Sequence, residues 1–193
     1  GGIVWANAPG GVLPALTCAS CHANYEHGRW SPGRTNPRFD YGAMLDAHIG
    51  VPTVNGTWGP GRVDVTGDNQ ENPTYVTDLR PISFQSRLHR AGTLYNSPVN
   101  LAFRLETLLI TSLSQAVRPP RKIVFALVVY LWSLAEELPE VSMHLPGWTV
   151  FQEQCADCHA GPGLAGDAVS IEAIGTAPEI GLSTERGTGS YRV

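Results

Sequence analysis

The sequence predicts a mainly α protein with little β structure, organised as two tandem domains with long irregular loops. Three observations predict it. All four cysteines fall in two copies of one pentad, CASCH at 18–22 and CADCH at 155–159, as though one unit began twice. Two stretches, 97–113 and 122–135, carry the apolar spacing of helices. Gly (21) and Pro (15) are frequent enough for many ordered loops between short helices, yet short of the low-complexity range, so long strands are not expected.

The elements follow in chain order. The opening GGIVWANAPGG has no initiator Met, basic stretch or A-x-A signal, so export has to be inferred from the cysteines. Pro14 sits where a helix can start, and Leu13 and Leu16 give a short apolar approach to the first pentad. Residues 28–81 carry turn signals at Ser31-Pro32-Gly33, Asn55-Gly56 and Gly59-Pro60-Gly61 and should be mostly loop, with a short helix at 41–48. Loops of that length in a compact domain are usually functional or wrapped round something, and a large apolar group can serve as their core.

Ser97 is the expected N-cap of a helix with Pro98 in its first turn and Leu101, Leu105, Leu108 and Leu109 on its apolar face. Pro119 and Pro120 introduce the segment 122–135, whose apolar residues surround the axis as in a helix buried on most sides. Its apolar run is too short to cross a bilayer. Residues 138–148 read as a linker, which sets the domains at 1–139 and 140–193. Trp148, Phe151, Cys155 and Cys158 then form a helical stripe leading into the second pentad. The formal charge of −4, with the 13 Lys and Arg scattered, gives no reason to expect a nucleic acid partner.

Residues three and four apart on a helix share a face, so the two thiols and the imidazole of each pentad converge. That arrangement suits a haem: the thiols form thioethers with its vinyl groups and the imidazole supplies the proximal iron ligand. Cys-x-x-Cys-His is read accordingly as c-type haem attachment. Two Cys-x-x-Cys pairs could also make a zinc site, and a lone pair near a βαβ pattern could be a redox dithiol, but neither accounts for a fifth-position His twice. Disulfides between cysteines three apart would close very small loops and stabilise little. The expected cofactors are two covalently bound haem c groups with their iron, one on Cys18, Cys21 and His22, the other on Cys155, Cys158 and His159.

The order of pentad, loops and an apolar helix ending VVYLWSL resembles a cytochrome c domain. Two in tandem resemble the dihaem c-type cytochromes related to bacterial cytochrome c peroxidase. FQEQCADCHAGPGLAG at 151–166 and IGTAPEIGLSTERGTGSYRV at 174–193 are similar to the second domain of that family. Relatives continue from such a segment into a Pro-Ser-Leu-Arg stretch, a second iron ligand and a closing helix, so by this resemblance the second domain is partial. The resemblance also implies a periplasmic or extracellular protein, because c-type thioethers form outside the cytoplasm.

The sixth iron position decides between electron transfer and open-site chemistry. For the first haem the favoured ligand is His89, in RLHRAGTL, because its separation from His22 resembles that between the iron ligands of ordinary cytochromes c and it precedes the closing helices. His48 in AMLDAHIG is the alternative, with Met44 one turn away as its competitor, and His27 stands too near its own pentad. For the second haem a ligand has to come from Met143 or His144, from another subunit, from further sequence, or not at all. Arg38, Arg62, Arg80 and Arg90 are candidate propionate partners. Asp64, Asp68 and Glu71 could ligate calcium but lack the Gly and terminal Glu of an EF-hand loop, so an ordinary polar turn is preferred.

The expected function is an exported dihaem cytochrome relaying single electrons between redox partner proteins. The alternatives are a dihaem peroxidase with one open haem, and a subunit of a haem-bearing polymer in which a homo-oligomeric neighbour supplies an axial ligand in trans.

Overall fold

The computed structural model describes residues 2–64, 71–112, 118–137, 144–175, 178–179, 181–182 and 189–191. By packing, the chain forms two compact units, Gly1–Leu79 and Arg80–Val193. The boundary read near residue 140 lies outside the described residues and within the sequence span of the second unit.

The expectation of a mainly α protein with little β is overturned. Seven α-helices, several only one turn long, are accompanied among the described residues by ten strands in five separate two-stranded antiparallel sheets. The reason is local. Glycine and proline were read as marks of irregular loop, but several of them close hairpins, in which extended residues satisfy one another's backbone groups.

The first unit opens on β1 (Ile3–Ala8) and β2 (Gly11–Leu16), joined through Pro9-Gly10 with Ala8 opposite Gly11 and Ile3 opposite Leu16. Pro14 therefore lies inside a strand, opposite Trp5, and not at a helix start. The one-turn helix α1 (Ala19–His22) leads directly into β3 (Ala23–Glu26), which turns at His27-Gly28 and returns as β4 (Arg29–Pro32). Both turn residues have positive φ, 51° and 79°, the geometry of the tightest hairpins.

The helix expected over 41–48 is α2 (Tyr41–Ile49), capped by the Asp40 carboxylate on the Ala43 N–H and ended by Gly50 at φ 81°. A 3-10 turn (Val54–Thr57) packs on it so closely that a Cβ on Gly42 would lie 1.8 Å from the Asn55 carbonyl oxygen. The short pair β5 (Arg62–Val63) and β6 (Thr74–Tyr75) completes this unit. More than half of the described residues in 28–81 lie outside α2 and these short pairs and turns and are irregular, as expected. The described apolar core of the unit is thin: Ala23, Trp58 and Val76.

The second unit has a fuller core. After a 3-10 turn (Arg80–Phe84) and the hairpin β7 (Arg87–Leu88) and β8 (Leu94–Tyr95), α3 (Pro98–Thr107) starts at Ser97, whose hydroxyl accepts the Asn100 N–H at 3.1 Å. The regular α-helix ends at Thr107, before the expected 113, and gives way to a wider π turn over Leu108–Ser112. Residue 113 itself lies outside the described residues.

α4 (Arg121–Ser133) packs on α3 and buries Val124, Val128 and Leu131, spaced four and three apart, with Leu134 just beyond. Burying side chains of this kind is worth roughly 1.5–3 kcal/mol each. The expectation that α4 is buried on most sides does not hold: Ile123, Phe125, Val129 and Tyr130 are exposed. Glu106 on α3 is buried and held by Arg118, which donates from Nε at 3.0 Å and from a second guanidinium nitrogen.

α5 (Trp148–Gln154) stacks Trp148 on Phe151 at 5.4 Å. The backbone breaks at Cys155 before α6 (Ala156–His159), so the stripe read as one helix is two. β9 (Val169–Ser170), α7 (Ile171–Ile174) and β10 (Ser190–Tyr191) close the unit, with β9 paired to β10. No helix among the described residues is long and apolar enough to cross a membrane.

Candidate functional site

Both pentads fold as a single helical turn with the same internal bond. His22 N–H donates to the Cys18 carbonyl at 2.9 Å, and His159 N–H to the Cys155 carbonyl at 3.0 Å. Each turn brings its two thiols and its imidazole to neighbouring positions on one short helix. All four thiols are free; Cys18 and Cys155 are exposed, Cys21 and Cys158 half-buried. The disulfide alternative has no support in this arrangement.

The histidine rings share a second feature. His22 Nδ1 lies 3.1 Å from the Thr77 carbonyl oxygen, and His159 Nδ1 lies 3.0 Å from that of Leu164. A main-chain carbonyl can only accept, so Nδ1 carries the proton, and Nε2 is the nitrogen left with a lone pair. Fixing the far nitrogen by a backbone acceptor is how a ligating imidazole is oriented and its tautomer set. Burial pushes the His22 pKa below the usual imidazole value, opposed by its bond to Thr77 and by the Asp78 charge, so the ring is neutral at pH 7.

The elements behind each turn differ. Three carbonyls of α1 are answered from the segment just after β4: Ser20 by Asn36 Nδ2 at 2.9 Å, Cys21 by Asn36 N–H at 2.8 Å, and His22 by Gly33 N–H at 2.7 Å. On its other side Ser20 donates to the Gly2 carbonyl at 2.6 Å, which ties the turn to the first hairpin. Burial and then the neighbouring Cys18 raise the Cys21 thiol pKa. Tyr41 beside it is also raised, by burial first and Cys21 second, and it continues an aromatic row with Phe39 at 6.2 Å and Trp58 at 6.4 Å.

The second turn is held by its own neighbours in sequence. Cys155 N–H donates back to Phe151 in α5 at 2.8 Å, and the loop after His159 folds tightly on Gly161, where a Cβ would lie 2.0 Å from the Ala165 carbonyl oxygen. Leu164, the residue whose carbonyl takes the His159 proton, has φ 59°, an unfavourable conformation for a leucine.

The sixth-position candidates are scattered. His48 is exposed in the last turn of α2 with Met44 half-buried one turn earlier, and His27 is exposed at the β3–β4 turn. His89 belongs to the second unit, between β7 and β8, where its Nδ1 is hydrogen-bonded with the Thr93 hydroxyl. His144 is exposed, and Met143 lies outside the described residues. Among the described residues no three His, Cys, Asp or Glu side chains gather so as to hold a bare metal ion.

Of the arginines, Arg62 lies over the Tyr75 ring at 4.4 Å and Arg90 faces that of Tyr191 at 5.0 Å, while Arg38 is exposed and Arg80 half-buried. Asp64 accepts the Asn72 N–H and Glu71 accepts the Trp58 indole N–H, as in an ordinary polar turn; Asp68 lies outside the described residues.

Set against models of known families, curated proteins and solved structures, the chain matches none. Its chemistry is therefore read from the residues themselves. Sequence reasoning missed Thr77, Leu164 and Tyr41. Leu164 follows the Gly161-Pro162-Gly163 turn signal five residues after His159, and could have been found from it; Thr77 stands 55 residues from its histidine and leaves no such trace.

Proposed function

We propose that this chain is an exported dihaem c-type cytochrome that relays single electrons between redox partner proteins. One haem c would be held by Cys18, Cys21 and His22, the other by Cys155, Cys158 and His159. The carrying observation is the imidazole arrangement, built twice from unrelated surroundings: a one-turn helix presents two free thiols, and a backbone carbonyl outside the turn holds the histidine's Nδ1 proton. A disulfide or a dithiol redox pair has no use for an oriented imidazole.

When bound, each haem supplies a one-electron iron couple. Everything else is the work of the chain. Cys18, Cys21, Cys155 and Cys158 would hold the porphyrins by thioethers and His22 and His159 would offer Nε2 as ligands, while the Thr77 and Leu164 carbonyls fix each ring through Nδ1 and raise its basicity. The thin apolar core of the first unit among its described residues fits the same reading, since a bound haem would add buried apolar surface there. A periplasmic or extracellular location goes with this proposal. An acidic surface would steer the protein toward basic patches on partners, most strongly at low salt.

The test is direct. Made in a host with haem-attachment machinery, the chain should give a pyridine haemochrome spectrum after denaturation and a mass above that of the polypeptide by two haems. The bare polypeptide mass without haemochrome absorbance would reject the proposal. Two low-spin haems fit a carrier; a high-spin ferric haem with peroxide turnover would replace it by a dihaem peroxidase.

A further inference from the structure

The first hairpin is unlike the other long hairpin of its unit. No residue from Ile3 to Leu16 is charged, whereas β3 and β4 carry Glu26 and Arg29, and Glu26 is paired with Arg34 at 2.7 Å. Ile3, Trp5, Val12 and Leu16 are 63%, 75%, 59% and 40% exposed. These residues share one face, because cross-strand partners in the register, Ile3 with Leu16, Trp5 with Pro14 and Asn7 with Val12, point the same way.

The register also shows which backbone groups face outward. Thr17 N–H donates to Gly2 carbonyl oxygen at 2.8 Å, so the pair 2–17 is a bonded one, as is every second pair from it. The amides and carbonyls of Ile3, Trp5 and Asn7 therefore point away from β2, and those of Val12, Pro14 and Leu16 away from β1. Among the described residues neither strand has a second neighbour. The two edges differ: Pro14 has no N–H to offer in the middle of the β2 edge, while β1 has neither proline nor charge.

We propose that β1 is a self-pairing edge that joins two copies of this chain into a closed dimer. Antiparallel pairing about a two-fold axis at Trp5 sets Trp5 opposite its copy and Ile3 opposite Asn7 of the other chain. All are outward-facing positions, giving roughly six inter-chain hydrogen bonds. A two-stranded hairpin of marginal stability becomes part of a four-stranded sheet. Pro14 on each outer edge stops further addition, so the assembly ends at two. A second copy is the favoured occupant because the strand matches itself in register and carries no charge to repel its twin or select a charged partner. The six residues of β1 fall well short of the roughly 20–30 residues a side of standard complexes, so the dimer should be weak, with a Kd on the order of micromolar. The inference is independent of the haem proposal.

Sedimentation velocity over a concentration series from ~1 µM to ~0.5 mM tests it. The expected result is a monomer–dimer equilibrium that shifts at least tenfold toward monomer in Trp5→Pro. That change removes an outward N–H together with the indole and breaks none of the hairpin's own cross-strand hydrogen bonds. Trp5→Lys, which sets two like charges face to face, should act the same way if the proline variant folds poorly. Trp5→Cys should oxidise to a dimer linked through position 5, identified by peptide mass, because bonded antiparallel pairs bring Cα atoms within disulfide reach; Val4→Cys, on the opposite face, should not. A monomer at every concentration, a dimer indifferent to both Trp5 variants, or open-ended polymer would each overturn the proposal.

Discussion

The two pentads differ at one position, Ser20 against Asp157, and that position reports how each is held. Ser20 is buried and bonded to the first hairpin; Asp157 is exposed in the first turn of α6. The first histidine takes its orientation from Thr77 and its turn is clamped by Gly33 and Asn36, all brought together by tertiary folding. The second takes its orientation from Leu164, five residues on. The same Cys-x-x-Cys-His turn can therefore be completed by a whole unit or by one loop. A histidine completed by the unit is lost when the unit loosens; one completed by a loop is lost when the loop does.

The largest effect expected from this difference follows removal of the thiols. Replacing Cys18 and Cys21 by Ser, or Cys155 and Cys158 by Ser, should each halve the haemochrome absorbance. The consequences for folding should diverge. In the first unit the haem would stand in for a thin core, so amide protection at Gly33, Asn36 and Leu79 should collapse. In the second the α3–α4 core persists, and amides of α4 should stay protected. Equal losses in both units would break the comparison.

Gly161→Ala comes next. Its Cβ meets a backbone oxygen at 2.0 Å, so the loop has to open, at a cost of roughly 1–3 kcal/mol, and the Leu164 carbonyl moves away from His159. On the proposed function, the spectrum and potential of the haem held by Cys155, Cys158 and His159 should change while those of the other do not. Asn36→Ala is the counterpart in the first unit. It deletes the Nδ2 bond to the Ser20 carbonyl but keeps the backbone bond to Cys21, and should cost about 1 kcal/mol by denaturant titration.

The pentads, the N-cap at Ser97 and the apolar character of the helix at 122–135 were legible because each is encoded within a few residues. Periodicity marks Val124, Val128 and Leu131 as apolar, but it is silent on which sides of the helix find a neighbour, so the exposure of Phe125 and Val129 was not foreseen. The hairpins were misread because Pro14 and Gly28 are breakers in isolation and become permissible or necessary only beside a partner strand. Thr77 was invisible for a different reason. Its contribution is a carbonyl, which every residue possesses, and only the fold decides whose carbonyl meets the ring.

The smallest effect concerns acid, and it sharpens the contrast between a unit and a loop. Asp46 on α2 accepts from the Thr53 hydroxyl, from the Thr53 N–H at 2.9 Å and from the Gly56 N–H, drawing the 3-10 turn onto the helix. These bonds hold its carboxyl below the ordinary Asp range, the Thr53 hydroxyl contributing most. A depressed folded-state value means the charged form favours the fold. The contribution is whole above the unfolded value of ~3.9 and is lost as pH falls through the lower folded one. Acidification across that window should therefore release the Thr53 and Gly56 amides to exchange, and Asp46→Asn should flatten their pH dependence. The second pentad's loop relies on the Leu164 carbonyl, which does not titrate, so its amides should hold over the same range. If both regions loosened together, the first turn's dependence on its unit would no longer distinguish it from the second.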